Sequence, residues 1–415
     1  MNPLGILCIA ACLAGAVVAS SNQHYNGRSN SLKPSQWISP NELEQTPALN
    51  EITFEQLENM PLERGAKLMR KLYHLSQVGN GIAPAYVPSP SQIPVHIFCD
   101  DRMESTDLSR YVQTAKNMPK FGDEEVTIFI TGLPQSLESV KKANKKMVEA
   151  HLERINQKPQ SWNAGEKRGN WEDQDKLGRS LIVVDLGNTI TNVERYATLD
   201  VERCGKMLAK TLAQLTEECD VPSDMIHVIG QGVAANVAGA AGKSFQEITS
   251  EKLRRITALD PATQMAKERK VLTGLARGDA DFVDAIHTSA LGLGTTRRVG
   301  NVDFFPNGPS VGAPGARNVV EASMRATEYY AESTRPGYER NFPALEASCM
   351  KEYKKNEGYG KRTYMGYATA RDLSGDYMLE VNEHSPFGKR TPAHKQNSHH
   401  SGHRHQQQYE KNYDY

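Results

Sequence analysis

The chain has 415 residues, enough to bury a sizeable core, and 49 Lys and Arg balance 49 Asp and Glu for a formal net charge of zero. That balance excludes nucleic acid and anionic membrane as main partners, because both are bound by an excess of basic charge. No motif calls for a cofactor, and none is expected.

Residues 1–19 are almost wholly apolar from Gly5 onward, with small side chains at Ala16 and Ala19. The run is shorter than the ~20 residues of a bilayer-crossing helix and ends in Val17-Val18-Ala19, so it reads as a signal peptide, although it has no Lys or Arg near its start. No later stretch is long and apolar enough to span a membrane. The expectation is a secreted, extracellular chain with no transmembrane segment. Cys8 and Cys12 leave with the signal, and Cys99, Cys204, Cys219 and Cys349 remain, which allows three pairings. A helical pattern connects Cys204 to Cys219, and at ~1.5 Å of rise per residue it holds them too far apart to bridge. A chain of this length does not depend on disulfides for its core. There is no Asn-x-Ser/Thr acceptor for N-glycosylation.

Residues 20–94 read as an N-terminal arm and helix. Residues 20–50 are polar and rich in Ser, Asn and Pro. Over 54–78, Leu57, Leu62, Leu68, Met69, Leu72, Tyr73 and Leu75 recur at helical spacing, with Pro61 and Gly65 as candidate breaks, and the segment is expected to dock on the body. Residues 79–94, with four prolines, read as a linker into a strand at 95–99.

The body, 95–384, alternates strand and helix. Strands are expected at 126–131 (VTIFIT), 181–186 (LIVVDL), 226–229 and 255–259 (RITAL), with helices over 137–155, 193–218 and 233–241. This is the α/β pattern of a mostly parallel sheet with helices on both faces. Residues 157–176 are hydrophilic and read as an insertion at the sheet edge. Residues 385–415 form a His-rich tail, expected to be disordered; with His384 just before it, this end of the chain carries six of the twelve histidines.

The segment 226–235 (IHVIGQGVAA) has the form of a strand, a sharp turn and a helix. In an α/β-hydrolase that turn reads Gly-x-Ser-x-Gly and presents the nucleophilic hydroxyl. Here it reads Gly-Gln-Gly-Val-Ala, with Gly232 in the serine's place. The elbow backbone is strained, at a cost of about 1–3 kcal/mol for a side-chain-bearing residue, and glycine relieves it.

Together with this elbow, the words at 181–186, 255–262 (RITALDPA), 279–288 (DADFVDAIHT), 302–308 (VDFFPNG) and 325–333 (RATEYYAES) resemble the pancreatic and lipoprotein lipase family over roughly 126–353. The arm Leu32-Lys33-Pro34-Ser35-Gln36-Trp37, the Gly230-Gln231 elbow, the run 279–289 and Ser385-Pro386-Phe387-Gly388 are similar to the yolk proteins of higher flies, a lipase-derived storage family, over nearly the whole chain. The resemblance implies an α/β-hydrolase (lipase-like) fold. It also places the triad at Gly232, Asp260 and Ser323, the last standing where the family's Cys-Ser-His-x-Arg word has its histidine. Two of the three groups are then missing, and losing either nucleophile or base alone costs on the order of 10⁶ in rate. Backbone donors near Gly132 and Val233 mark the vestigial oxyanion-hole region.

The expected reading is therefore a catalytically inactive lipase homologue. Asp260 is expected to be a structural carboxylate, His287 a packed histidine, and Ser244 or Ser289 a nucleophile only with a base within ~3 Å. The lid position, 267–278, is short and lacks a flanking cysteine pair. The resemblance further implies a secreted storage protein of the haemolymph, an oocyte endocytic receptor as partner, deposition in yolk granules for embryonic nutrition, and an oligomer. It implies as a secondary role the carriage of ecdysteroid conjugates or lipid in the vestigial cleft, which side chains would otherwise fill. In the tail, His399, His400, His403 and His405 are weak metal candidates or groups that charge below pH ~6.5. Tyr413 and Tyr415 flank Asp414 as candidate sulfotyrosines.

Overall fold

The fold is described from a computed structural model, in which residues 47–77, 82–156, 180–266, 274–290, 292–309, 312–356 and 362–389 are placed. The signal region, most of the arm, the 157–176 insertion, residues 267–273 of the lid position and the tail from 390 onward lie outside the described residues.

Eleven strands form one sheet: β1 (Pro94–Cys99), β2 (Arg102–Asp107), β3 (Val126–Ile130), β4 (Ser180–Val184), β5 (Ile226–Gln231), β6 (Arg255–Leu259), β7 (Phe282–Ile286), β8 (Val302–Pro306), β9 (Pro343–Glu346), β10 (Arg362–Tyr364) and β11 (Gly375–Leu379). Their order is β10-β9-β11-β8-β7-β6-β5-β3-β4-β1-β2. The seven strands from β11 to β4 run parallel, and the antiparallel β1–β2 and β9–β10 pairs finish the two edges. Every residue of β3, β4, β5, β6, β7 and β8 is buried, as expected of parallel strands covered on both faces.

One face carries α4 (Glu138–Ile155) and α8 (Val319–Thr334), whose Met147, Tyr329 and Tyr330 pack with Phe129, Leu181 and Ile229. The other carries α6 (Val201–Glu218) and α7 (Val233–Thr249), whose Leu208, Leu212 and Phe245 pack with Ile128, Ile182 and Val228. The single helix expected over 193–218 is two. The short α5 (Val193–Ala197) ends, and α6 starts afresh at Asp200, whose carboxylate accepts the Arg203 N–H at 3.0 Å as an N-cap. Helix α7 runs to Thr249, well past Ala241, because alanine and glycine alone let it lie close to α6 while its later turns carry Phe245 into the core.

The N-terminal segment also breaks in two. Pro61 separates α1 (Phe54–Glu58) from α2 (Leu62–Ser76), while Gly65 leaves α2 uninterrupted. Both helices share the core of the body: Phe54, Leu57, Met69 and Leu72 are fully buried among sheet and helix residues. The described part of the 79–94 linker is tied down as well, with Tyr86 bridged to Leu199 and Ile93 buried. At the other end the body continues beyond 384. Phe387 is buried against Tyr329, and the Phe387 and Gly388 N–H groups donate to Glu332 at 2.7 and 2.9 Å. Cys99, Cys204, Cys219 and Cys349 are all unpaired, and Cys204 and Cys219 sit fifteen residues apart along α6 and its C-cap. Among the described residues no helix is long and apolar enough to cross a membrane.

If α1 is core rather than appendage, Phe54→Ala lowers stability by about 3–5 kcal/mol, the cost of a fully buried aromatic, in urea unfolding. A change under about 1 kcal/mol would show the segment to be peripheral.

Candidate functional site

Strand β5 delivers the elbow at the centre of the sheet. Gly232 stands between β5 and α7 with φ 57° and ψ −119°, a left-handed φ that only glycine adopts without strain. Its N–H donates to the Leu259 carbonyl at 2.8 Å, and its carbonyl accepts from Ala262 at 3.0 Å and Ala235 at 3.2 Å. A Cβ placed on Gly232 meets nothing within 4 Å. Space for a side chain thus exists, and backbone strain is the obstacle to one.

The turn after β3 presses on this elbow so closely that a Cβ on Gly132 would lie 1.9 Å from the Gln231 carbonyl oxygen. The Gly132 N–H donates to Gln231 Oε1 at 3.1 Å, and Gln231 Nε2 donates to Asn144 Oδ1 of α4 and Thr327 Oγ1 of α8, both at 2.9 Å. Gln231 is fully buried and joins two strands to two helices. One donor of the expected oxyanion region is thereby occupied within the protein. Val233, the other, opens α7, where first-turn N–H groups have no partner inside the helix.

Asp260 follows β6 with φ 51° and is completely buried. Oδ1 accepts the N–H groups of Thr288 (2.9 Å) and Ser289 (2.8 Å), Oδ2 accepts the Ser289 hydroxyl, and the Ser323 hydroxyl lies beside the same carboxyl. Burial raises its pKa above the ordinary aspartate value, and these hydrogen bonds offset only part of that. Residues 232, 260 and 323 therefore lie together, and they include neither a nucleophile nor an imidazole. An aliphatic alcohol cannot take a proton from a nucleophile near neutral pH, and glycine supplies no nucleophile.

The other sequence candidates have different partners. His287 is buried, with Nδ1 donating to the Thr295 carbonyl and Nε2 facing Asp303 Oδ1, both at 2.8 Å, and its ring stacks on Phe305 at 4.6 Å. Both nitrogens are engaged away from Asp260. Ser289 has the Asp260 carboxylate and the Gly294 N–H (2.8 Å) as its partners.

The site is closed from above. The Tyr196 phenol is buried close to Asp260: burial, and then the Asp260 charge, push its pKa upward. Phe54 of α1 packs edge-on against the Tyr196 ring at 5.7 Å. The segment 48–77 is pinned across the strand ends by several bonds. Ile52 accepts from Val193 N–H (3.3 Å), Glu58 from the α4 N-terminal amides of Glu138 (3.2 Å) and Ser139 (2.8 Å), and Leu62 donates to the Arg317 carbonyl (2.8 Å). An acidic side chain at a helix N-terminus is favourable for both orphan amides and dipole. Beside this seal lies a cavity of about 330 Å³ between α2 and the loops after β6 and β7, with Met69, Tyr73, Met265 and Leu293 in its walls and Arg70 and Arg297 among its polar lining.

A lipase family model matches residues 119–387. Over 97% of both chains the sequence is 51% identical to Vitellogenin-1 of Ceratitis capitata, and it is 47% identical to Vitellogenin-3 of Drosophila melanogaster over 97% of this chain and 99% of that one. The chain belongs to the lipase family, among its fly yolk proteins. Lipoprotein lipase of Neovison vison is 38% identical over 164 residues, 37% of this chain and 33% of that protein. In this yolk protein the sequence words led to 232, 260 and 323, with Ser289 singled out as a possible nucleophile, but not to its bond with Asp260, to the network of Gln231 or to Tyr196. A glutamine at the end of a buried strand, directly before the elbow glycine, is the one signal that could have pointed to the Gln231 network.

Gln231→Leu strands the Gly132 N–H in the core and removes two further bonds, so it should cost about 1–3 kcal/mol or more in urea unfolding; no loss would show the network to be dispensable. Because Asp260 is raised above its unfolded value, wild-type stability falls as pH rises through the folded pKa. The difference between Asp260→Asn and wild type should therefore move in the variant's favour from pH 4 to pH 7. A drift in the opposite direction would contradict the charged form being the disfavoured one.

Proposed function

We propose that this yolk protein is a secreted nutrient reserve with no hydrolytic activity. It is taken up from the haemolymph by an oocyte endocytic receptor, stored in yolk granules as an oligomer, and later degraded for the embryo. The observation that carries the inactive part of this reading is the meeting of Gly232, Asp260 and Ser323 with neither nucleophile nor imidazole, beneath Tyr196 and Phe54. The full-length likeness to fly vitellogenins supports the storage part. A reserve needs solubility, dense folding and eventual degradability, and none of these needs a triad.

A second reading, carriage of lipophilic hormone or lipid conjugates, is favoured by the cavity of about 330 Å³, which is within the size of small-ligand sites and has both apolar walls and guanidinium groups. In this reading the ligand sits beside the closed elbow rather than on it. Solvent extraction and mass spectrometry of protein purified from its source distinguish the two: a stoichiometric small molecule supports carriage, and an empty extract supports reserve alone.

Purified protein should hydrolyse short-chain p-nitrophenyl esters no faster than buffer, and activity abolished by serine-directed inhibitors would sink the inactive reading. Gly232→Ser should lose about 1–3 kcal/mol of stability from its strained φ and remain inactive, because position 323 still offers no base. Accumulation in eggs, followed by antibody, tests storage itself.

A further inference from the structure

At the opposite end of the sheet from the elbow, on the face covered by α4 and α8, lies a second buried group of ionisable side chains that the proposed function leaves unused. His227 of β5 is buried. Its Nε2–H donates to Thr257 Oγ1 of β6 at 2.9 Å, since that hydroxyl in turn donates to Asp284 Oδ1 of β7 at 2.8 Å. Its Nδ1 faces Glu125, just before β3, at 3.7 Å. Arg254 pairs with the same Glu125, and Arg255 holds Asp284 with two bonds of 2.8 and 2.7 Å.

His151 of α4 lies in the same buried group. Its Nδ1–H donates to the Met147 carbonyl at 2.8 Å, which leaves Nε2 as the site of any further proton, near His227, Arg154 and Glu125. Tyr330 of α8 packs its ring on His227. The cluster also joins the sheet to more distant chain. Arg255 donates to the Gly366 and Tyr367 carbonyls, and Arg154 donates to the Thr334 carbonyl at 2.7 Å, pairs with Glu339 and lies over the Tyr367 ring at 4.0 Å.

We propose that this cluster is an acid-sensitive latch: charging His151 and His227 in a mildly acidic compartment loosens α4, the C-terminal end of α8 and the 366–367 loop from the sheet, and so opens the lower half of the protein. At neutral pH the three guanidiniums of Arg154, Arg254 and Arg255 are matched by the carboxylates of Glu125, Asp284 and Glu339. Added imidazolium charge would have to share Glu125 and Asp284, which already pair with Arg254 and Arg255. Burial depresses both histidines, His151 to about 4, while Glu125 is held below its ordinary value. For Glu125 burial alone would raise the pKa, but the facing His227 ring and the Arg254 and Arg255 charges outweigh it. A histidine whose folded pKa lies below 6.5 leaves stability intact above that pH and withdraws it as pH falls toward the folded value.

The latch is a property of this fold and does not depend on the storage reading. It is tested on the full-length protein by thermal unfolding at pH 7.5, 6.5 and 5, for wild type, His151→Leu and the double variant His151→Leu/His227→Gln. Comparison with the variants is needed because Asp185, Asp260, Asp279 and, on α4 itself, Glu153 are raised carboxylates that act with the opposite sign over part of this range, and His74 and His96 are lowered histidines that act with the same sign. Unfolding of wild type near pH 5 should take up about one more proton than His151→Leu, and more again than the double variant, so its midpoint should drop more steeply between pH 6.5 and 5. Equal slopes in wild type and His151→Leu overturn the proposal. Should the double variant fail to fold, hydrogen exchange of wild type at pH 7 and 5, corrected for intrinsic rates, decides. Preferential loss of protection in α4 and around 366–367 supports the latch, and uniform loss, or loss confined to α1 and α2, overturns it.

Discussion

The turn formed by Gln231, Gly232 and Val233 is the constraint around which the rest of the molecule is arranged. It ends the central strand, starts the small-residue helix α7, and is bonded through Gly232 to the end of β6 and the loop beyond it. The turn after β3 can approach only because position 132 has no side chain, and the approach brings its amide to Gln231. In a hydrolase with this elbow the strain of a side chain at the turn is offset by the chemistry its hydroxyl performs. With glycine there the strain is gone, and the same geometry remains as a packing junction of strands β3, β5 and β6 with helices α4, α7 and α8.

The neighbouring groups have been reassigned in a consistent way. A carboxylate at zero exposure is among the costliest things to bury, so Asp260 can persist only if its lone pairs are used. Two loop amides and the Ser289 hydroxyl use them, with the Ser323 hydroxyl beside the same carboxyl, and together they hold the β7 loop and α8 against β6. Tyr196 and Phe54 then exclude water from above. They extend the core from the sheet into the N-terminal segment, which is why 48–77 behaves as part of one body.

Strands β3 to β6 were legible in sequence because parallel strands buried on both faces must be short apolar runs: 255–259 matches β6 at both ends, and 126–131 and 181–186 differ from β3 and β4 by a residue or two. Strands β7 and β8, each with a buried aspartate in its run, were not among the expected strands. The edges were not legible either. Strand β2 reads Arg-Met-Glu-Ser-Thr-Asp and is half exposed, so it carries no apolar signal, and the short β9 and β10 are defined by pairing with distant chain rather than by local pattern. The break between α5 and α6 turns on a capping interaction of Asp200 within a continuous helical periodicity. In the site, the triad positions were readable as words, whereas Gln231, Ser289 and Tyr196 act through partners more than 25 residues away, which no local pattern encodes.

Two buried groups at opposite ends of the sheet also respond to acid in opposite senses, while Asp279, before β7, and Glu153 of α4 are raised carboxylates away from the elbow. At the elbow end the buried Asp185 and Asp260 have raised pKa values, so the folded protein holds their protons more tightly than the unfolded chain and that end gains as pH falls. At the other end the buried His151 and His227 are neutral groups among arginines, and the folded protein resists the protons that the unfolded chain accepts. Falling pH therefore tightens the closed elbow while it strains the layer of α4 and α8 on the lower sheet. A weakness confined to one end lets the neutral protein keep its full core while the acid form already has a place to begin unfolding.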